Sequence, residues 1–104
     1  DGQKLLLGAA DYIVEHGWKQ GAMGASGGPR CLSGAVVEAL DQLDLPFSQL
    51  TVACEVAAQR LRKHLGMKRP VGETLGTFKD LVVWQDKLGR TQDQVVQTLR
   101  RAAK

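Results

Sequence analysis

Aromatic side chains are scarce in this chain: Tyr12, Trp18, Phe47, Phe78 and Trp84 are all it has in 104 residues. A core cannot then rest on large rings and must come from Leu, Val, Ala and Ile, the material of short packed helices. Cysteine is scarcer still. Cys31 and Cys54, with no repeating spacing, do not make a secreted disulfide framework, so the expectation is a cytoplasmic protein with reduced thiols. No apolar run approaches the roughly 18 residues that span a bilayer. LLLGAA near the start has neither the length nor the basic lead of a signal peptide, and no membrane partner is expected. Strong charge is missing too, with 14 Lys and Arg against 11 Asp and Glu for a net +3. That balance is too mild to name a partner by itself.

What the chain does have is glycine, gathered in one place. Of its 12 glycines, Gly17, Gly21, Gly24, Gly27, Gly28 and Gly34 fall within GWKQGAMGASGGPRCLSG. Helical patterns flank that stretch. Residues 3–16 place Leu5, Leu6, Ala9, Ala10, Tyr12 and Ile13 at three- and four-residue spacing, which predicts an amphipathic helix ended by Gly17. The turn material GASGG between Trp18–Met23 and Pro29–Leu32 fits a short β-hairpin or an irregular loop, of which the hairpin is favoured. Helical spacing returns with Leu32, Val36, Ala39, Leu40 and Leu43, until Asp44-Leu45-Pro46 breaks it.

Ser48 reads as the N-cap of a long helix whose seam is Leu50, Ala53/Cys54, Ala57, Leu61 and Leu65, with Gly66 as its stop. A connector leads to a further segment over 74–85, read as helix although VVW also suits a strand. After a turn at 87–90, Thr91-Gln92-Asp93-Gln94 predicts a capping box opening a last helix that buries Val95, Leu99 and Ala102. The fold class expected is mainly α. It is a compact bundle of about five short helices in one domain, residues 1–104, with a small hairpin or Gly-rich loop between the first two.

Several short strings recur together: His16-Gly17-Trp18, Gln20-Gly21-Ala22, Cys31-Leu32-Ser33-Gly34-Ala35, Trp84-Gln85-Asp86 and Gly89-Arg90-Thr91. On these elements the chain resembles a family of small uncharacterised proteins of actinobacteria and their phages. The resemblance implies such a source and assigns no catalytic residue. The family pattern has Trp-Asn-Asp where this chain has Gln85 in the middle, which puts an asparagine-specific role in doubt.

Candidate chemistry is thin. Cys31 opens a helix, where the N-terminal dipole favours a thiolate, and His16 lies across the expected hairpin as a possible base. The competing reading is a cysteine packed beside Leu32 and Ala35. A zinc site from His16, Cys31, Cys54 and His64 fails on geometry. Cys54 and His64 are ten residues apart on one expected helix, hence roughly 15 Å, too far to share one ion. The loop Gly24–Arg30 could hold an anion, but it lacks the Gly-Lys-Ser/Thr ending of a P-loop and follows a helix.

Arg60, Arg62, Lys63, Lys68 and Arg69 are the densest basic run, fit either to contact phosphates or to form a solvated face. Trp18 and Trp84 are expected at one junction with Asp86 and Arg90 nearby. These four and Arg30 form the expected interaction surface. The leading functional expectation is a non-enzymatic protein-interaction or accessory module with no metal or cofactor, self-association left open. The alternatives are a basic nucleic-acid-binding regulator and a cysteine-dependent enzyme using Cys31.

Overall fold

The computed structural model describes all 104 residues and contains five helices: α1 (Gly2–His16), α2 (Leu32–Asp41), α3 (Phe47–Leu65), α4 (Lys79–Gln85) and α5 (Gln92–Ala102). α1 is the hub, packing against α2, α5 and α3. One buried cluster runs through all five, from Leu5, Leu6 and Ile13 of α1 to Leu32 and Val36, Ala57 and Leu61, Leu81, and Val95 and Leu99. Alanine is frequent in that cluster (Ala9, Ala10, Ala35, Ala39, Ala53, Ala57 and Ala58), so helix axes can approach closely. Of the five aromatic residues only Phe78 is buried, as an aliphatic core requires. No helix is long and apolar enough to cross a membrane.

The helix ends follow local chemistry, with three departures from expectation. The capping box forms at Thr91 and Gln94, each side chain bonded to the other's backbone N–H. Gly66 stops α3 as expected, its N–H and that of Met67 returning to the carbonyls of Lys63 and Arg62. α3, however, starts one residue before Ser48. Pro46 stands at the N-cap with its carbonyl taking the N–H groups of Gln49 and Leu50, and no side chain caps. α4 begins at Lys79, not at Thr74. Gly76 has φ +78° and lies so close to α3 that an added Cβ would stand 3.1 Å from Cys54 Cβ. Its N–H donates to Glu55. The segment before α4 is therefore used to dock on α3 and cannot coil.

The third departure is the hairpin, which does not form. Two isolated bridges meet at one residue, Trp18 with Arg30 in parallel sense and Gly24 with Arg30 in antiparallel sense. Residues 28–31 thread between the two ends of a curled loop, with Lys19 N–H on the Arg30 carbonyl and Cys31 N–H on the Met23 carbonyl. Gly24 allows that threading. Its φ is +83°, and a Cβ there would fall 2.1 Å from the Pro29 carbonyl oxygen.

Candidate functional site

The glycine loop is fastened to the C-terminal end of α4 by Gln85, a fully buried amide one turn after Leu81. Gln85 Oε1 accepts from the Trp18 indole and from the backbone N–H of Leu32, and Nε2 donates to the Lys19 carbonyl and to Asp86. Gln20 adds donations to the carbonyls of Gln85 and Lys87, and Gly21 N–H donates to Asp86 at 3.0 Å. Beside it the Arg90 guanidinium lies 4.2 Å over the Trp84 ring and donates to the Trp84 carbonyl. Trp18 and Asp86 thus share the dock that holds the loop, while Trp84 and Arg90 pair with each other at the same end of α4. Arg30 is 7% exposed and pairs with Glu38. Its Nε, without a partner, is packed against Gly34.

Gln85 was hidden in the sequence because a polar letter reads as surface. The signal was its place, four residues after a core leucine on the same helical face.

On the other side of the loop, α1 and α2 enclose a polar groove of about 530 Å³. Gly8 lets the helices come together, since a Cβ there would meet Ala39 Cβ at 3.0 Å. Asp11, Tyr12, Glu15 and His16 form one wall, Glu38 belongs to the other, and Ser26 and Gly27 of the loop make the rim. Tyr12 donates to the Gly28 carbonyl at 2.8 Å and stacks on the His16 ring, whose Nδ1 is 3.1 Å from the Gly27 carbonyl. Hydrogen bonds from Ser26 and then Arg30 hold the Glu38 carboxyl below its ordinary range. Arg100 stands 3.9 Å from Asp11, and Lys4 also lines the groove.

Cys31 is the N-cap of α2 and only 3% exposed. Its sulfur lies 3.1 Å from Ser33 Oγ and accepts from Gly34 N–H. His16 bonds to the Gly27 carbonyl and makes no hydrogen bond to this thiol, whose partners are Ser33 and Gly34. Burial pushes the Cys54 thiol up. No three His, Cys, Asp or Glu side chains converge as a metal site would need.

The expected basic run divides. Arg62 is 1% exposed on α3 and makes a two-pronged pair with Asp80 at 2.9 and 3.0 Å, adding a bond to the Thr77 carbonyl. The Arg62 hydrogen bond holds Asp80 below its ordinary carboxylate range. Arg69 pairs with Glu55 at 2.9 Å and reaches the carbonyls of Glu73 and Thr74. Burial pushes Glu55 up, but the Gly76 N–H and Arg69 outweigh it and the net shift is downward. Arg60 and Lys63 instead join His64, Arg101 and Lys104 around a cleft between the ends of α3 and α5. Lys68 is exposed beyond Gly66 and does not line it.

Residues 2–104 match the profile of a family of unknown function (DUF6197), and the chain belongs to that family. No curated protein matches it and no solved structure does.

Proposed function

From membership of that family and the geometry of the loop, we propose that the protein is a non-enzymatic protein-interaction module. In this reading it is a cytoplasmic accessory protein of an actinobacterium or its phage, and the α1–α2 groove takes a basic segment of its partner. The observation that carries the reading is the groove itself, wide, polar and rimmed by a loop that many hydrogen bonds hold in place. Small-molecule pockets are mostly lined by apolar residues with a few polar groups, whereas polar and charged residues predominate in the lining of this one. Asp11 and Glu15, one turn apart and exposed on α1, suit a lysine or arginine side chain laid between the helices, and Glu38 across from them is already paired with Arg30. Lys4 and Arg100 reduce that field at its edges and set where a cation can sit.

The cysteine-enzyme alternative has little support, because the Cys31 thiol is used as a helix cap and is closed to solvent. The expected tryptophan surface likewise moves. Trp18, half-buried, and Asp86, exposed, are bonded to the dock that holds the loop, and the groove replaces them as the place to test.

The test is an NMR titration of the whole chain with a short lysine- and arginine-rich peptide, alongside an acidic peptide of equal length. The basic peptide is expected to shift the amides of Tyr12, His16 and Glu38 and the acidic one to leave them unmoved. Asp11→Lys with Glu15→Lys, both at exposed positions, is expected to abolish the response. Shifts scattered over the surface, or retained in the double variant, would sink the reading.

A further inference from the structure

A second surface stands apart from the groove, where α3 and α5 end side by side. Arg60 joins them, its Nη1 donating to the carbonyls of Ala102 and Lys104. Around this contact lies an open cleft of about 330 Å³ in which every ionisable side chain is basic: Arg60, Lys63, His64, Arg101 and Lys104. Several cations elsewhere are matched with carboxylates, as in Arg30–Glu38, Arg62–Asp80, Arg69–Glu55 and Lys79–Glu73, and the unmatched Lys19, Lys68 and Lys87 do not line such a cleft. Lys63, His64, Arg101 and Lys104 have no such partner, and like charges brought together repel.

Helix ends attract cations for their own sake, and that accounts for Arg60. It also favours Lys63, His64 and Arg101 in the last turns, but two helix ends carry only about −0.5 elementary charge each, less than the cations gathered here, and several end carbonyls are already bonded. Arg62 and Lys63 carbonyls take Met67 and Gly66 N–H, and those of Leu99 and Arg101 take the N–H of Ala103 and Lys104. The carbonyl of Ala103 takes the Gln3 amide. The remaining positive charge is surplus to capping and faces solvent.

We infer that the cleft between the ends of α3 and α5 binds the phosphate backbone of nucleic acid. Cations from two helices can meet successive phosphates. An open cleft lined by cations and Ala102 alone favours contacts to phosphate over contacts to base edges, so recognition is expected to be of the backbone and indifferent to sequence. The inference does not rest on the α1–α2 groove. It uses other residues and the opposite sign of charge.

Fluorescence anisotropy with short labelled DNA duplexes of two unrelated sequences tests it. Both are expected to bind alike at low salt, with log K falling against log salt at a slope of about −3, as three neutralised phosphates give. Lys63→Glu with Arg101→Glu is expected to weaken binding about tenfold or more and to flatten the slope by about 2. The charge-matched control is Lys19→Glu with Lys87→Glu, on exposed side chains that make no hydrogen bond, and it is expected to change affinity far less. Circular dichroism checks that each variant is folded. Asp11→Lys with Glu15→Lys is expected to keep DNA binding, which separates this site from the groove. Equal losses in the two charge-matched variants, no binding at low salt, or equal competition by polyglutamate would each overturn the assignment.

Discussion

Around the C-terminal end of α4, polar side chains are occupied with backbone. Among the side chains lining the cleft at the joined ends of α3 and α5, only Arg60 is. Gln85, Gln20 and Asp86 between them accept or donate to Trp18, Lys19, Gly21, Leu32 and Lys87. Lys63, His64, Arg101 and Lys104 have no comparable partner. The difference shows how a chain with few aromatic residues divides its polar ones. Where a glycine-rich loop has few apolar side chains to dock with, hydrogen bonds must help to fix it, and the residues that do so are lost to binding. Where two helices are already capped, their charges remain available.

The sharpest way to break the comparison lies within α3, where Arg62 and Lys63 are neighbours in sequence with opposite fates. Asp80→Ala leaves the Arg62 guanidinium buried with only the Thr77 carbonyl, and is expected to cost about 3–5 kcal/mol. Lys63→Ala, on the exposed side, is expected to change stability by no more than about 0.5 kcal/mol. Urea midpoints for the two variants check this. Comparable losses would mean that the exposed cations are structural after all.

A smaller effect is expected at Gln85, and it tests the other region. Gln85→Leu fills the same space while stranding the buried Leu32 N–H and the Trp18 indole, at an expected cost of about 1–3 kcal/mol. Gln85→Asn keeps the amide and loses one methylene of reach, so its loss is expected to fall between. The Trp18 indole N–H resonance reports the dock directly, and in the leucine variant it should move towards the position of a water-exposed indole. An unmoved indole with full stability would show that the loop is held by something other than this amide.

The helices were legible to the extent that their periodicity is apolar. α1, α2 and α5 could be read from Leu5, Leu6 and Ile13, from Val36 and Ala39, and from the capping box ahead of Val95 and Leu99. α4 was read too long because Leu75 fits the helical spacing, yet its side chain is exposed and Gly76 beside it is docked on α3. The hairpin was read from turn residues, which mark a change of direction but not what the chain meets after turning. Arg62 and Gln85 stand at core positions of their helices, four residues after Ala58 and Leu81. Such a position says that a polar group is buried. It does not say that Asp80 or Trp18 will face it, since that depends on how distant elements pack.

The smallest effect concerns Glu55, which holds the connector by accepting from Gly76 N–H and from Arg69. In Glu55→Gln the amide oxygen can still take the Gly76 N–H, so the losses are the pairing with the partly exposed Arg69 and the acceptor for Gln59 Nε2, about 0.5–1 kcal/mol at neutral pH. The sign with pH is fixed by the downward shift. Glu55 titrates below its ordinary 4.5 in the folded chain, so its charge stabilises fully above that value. The contribution fades as pH falls through the lowered folded value. The stability gap between the parent and Glu55→Gln should therefore be open at pH 7 and closed at strongly acidic pH, as read from urea midpoints across that range. A gap that stayed constant into acid would show that the connector is held by the shape of the side chain, and that its charge contributes nothing.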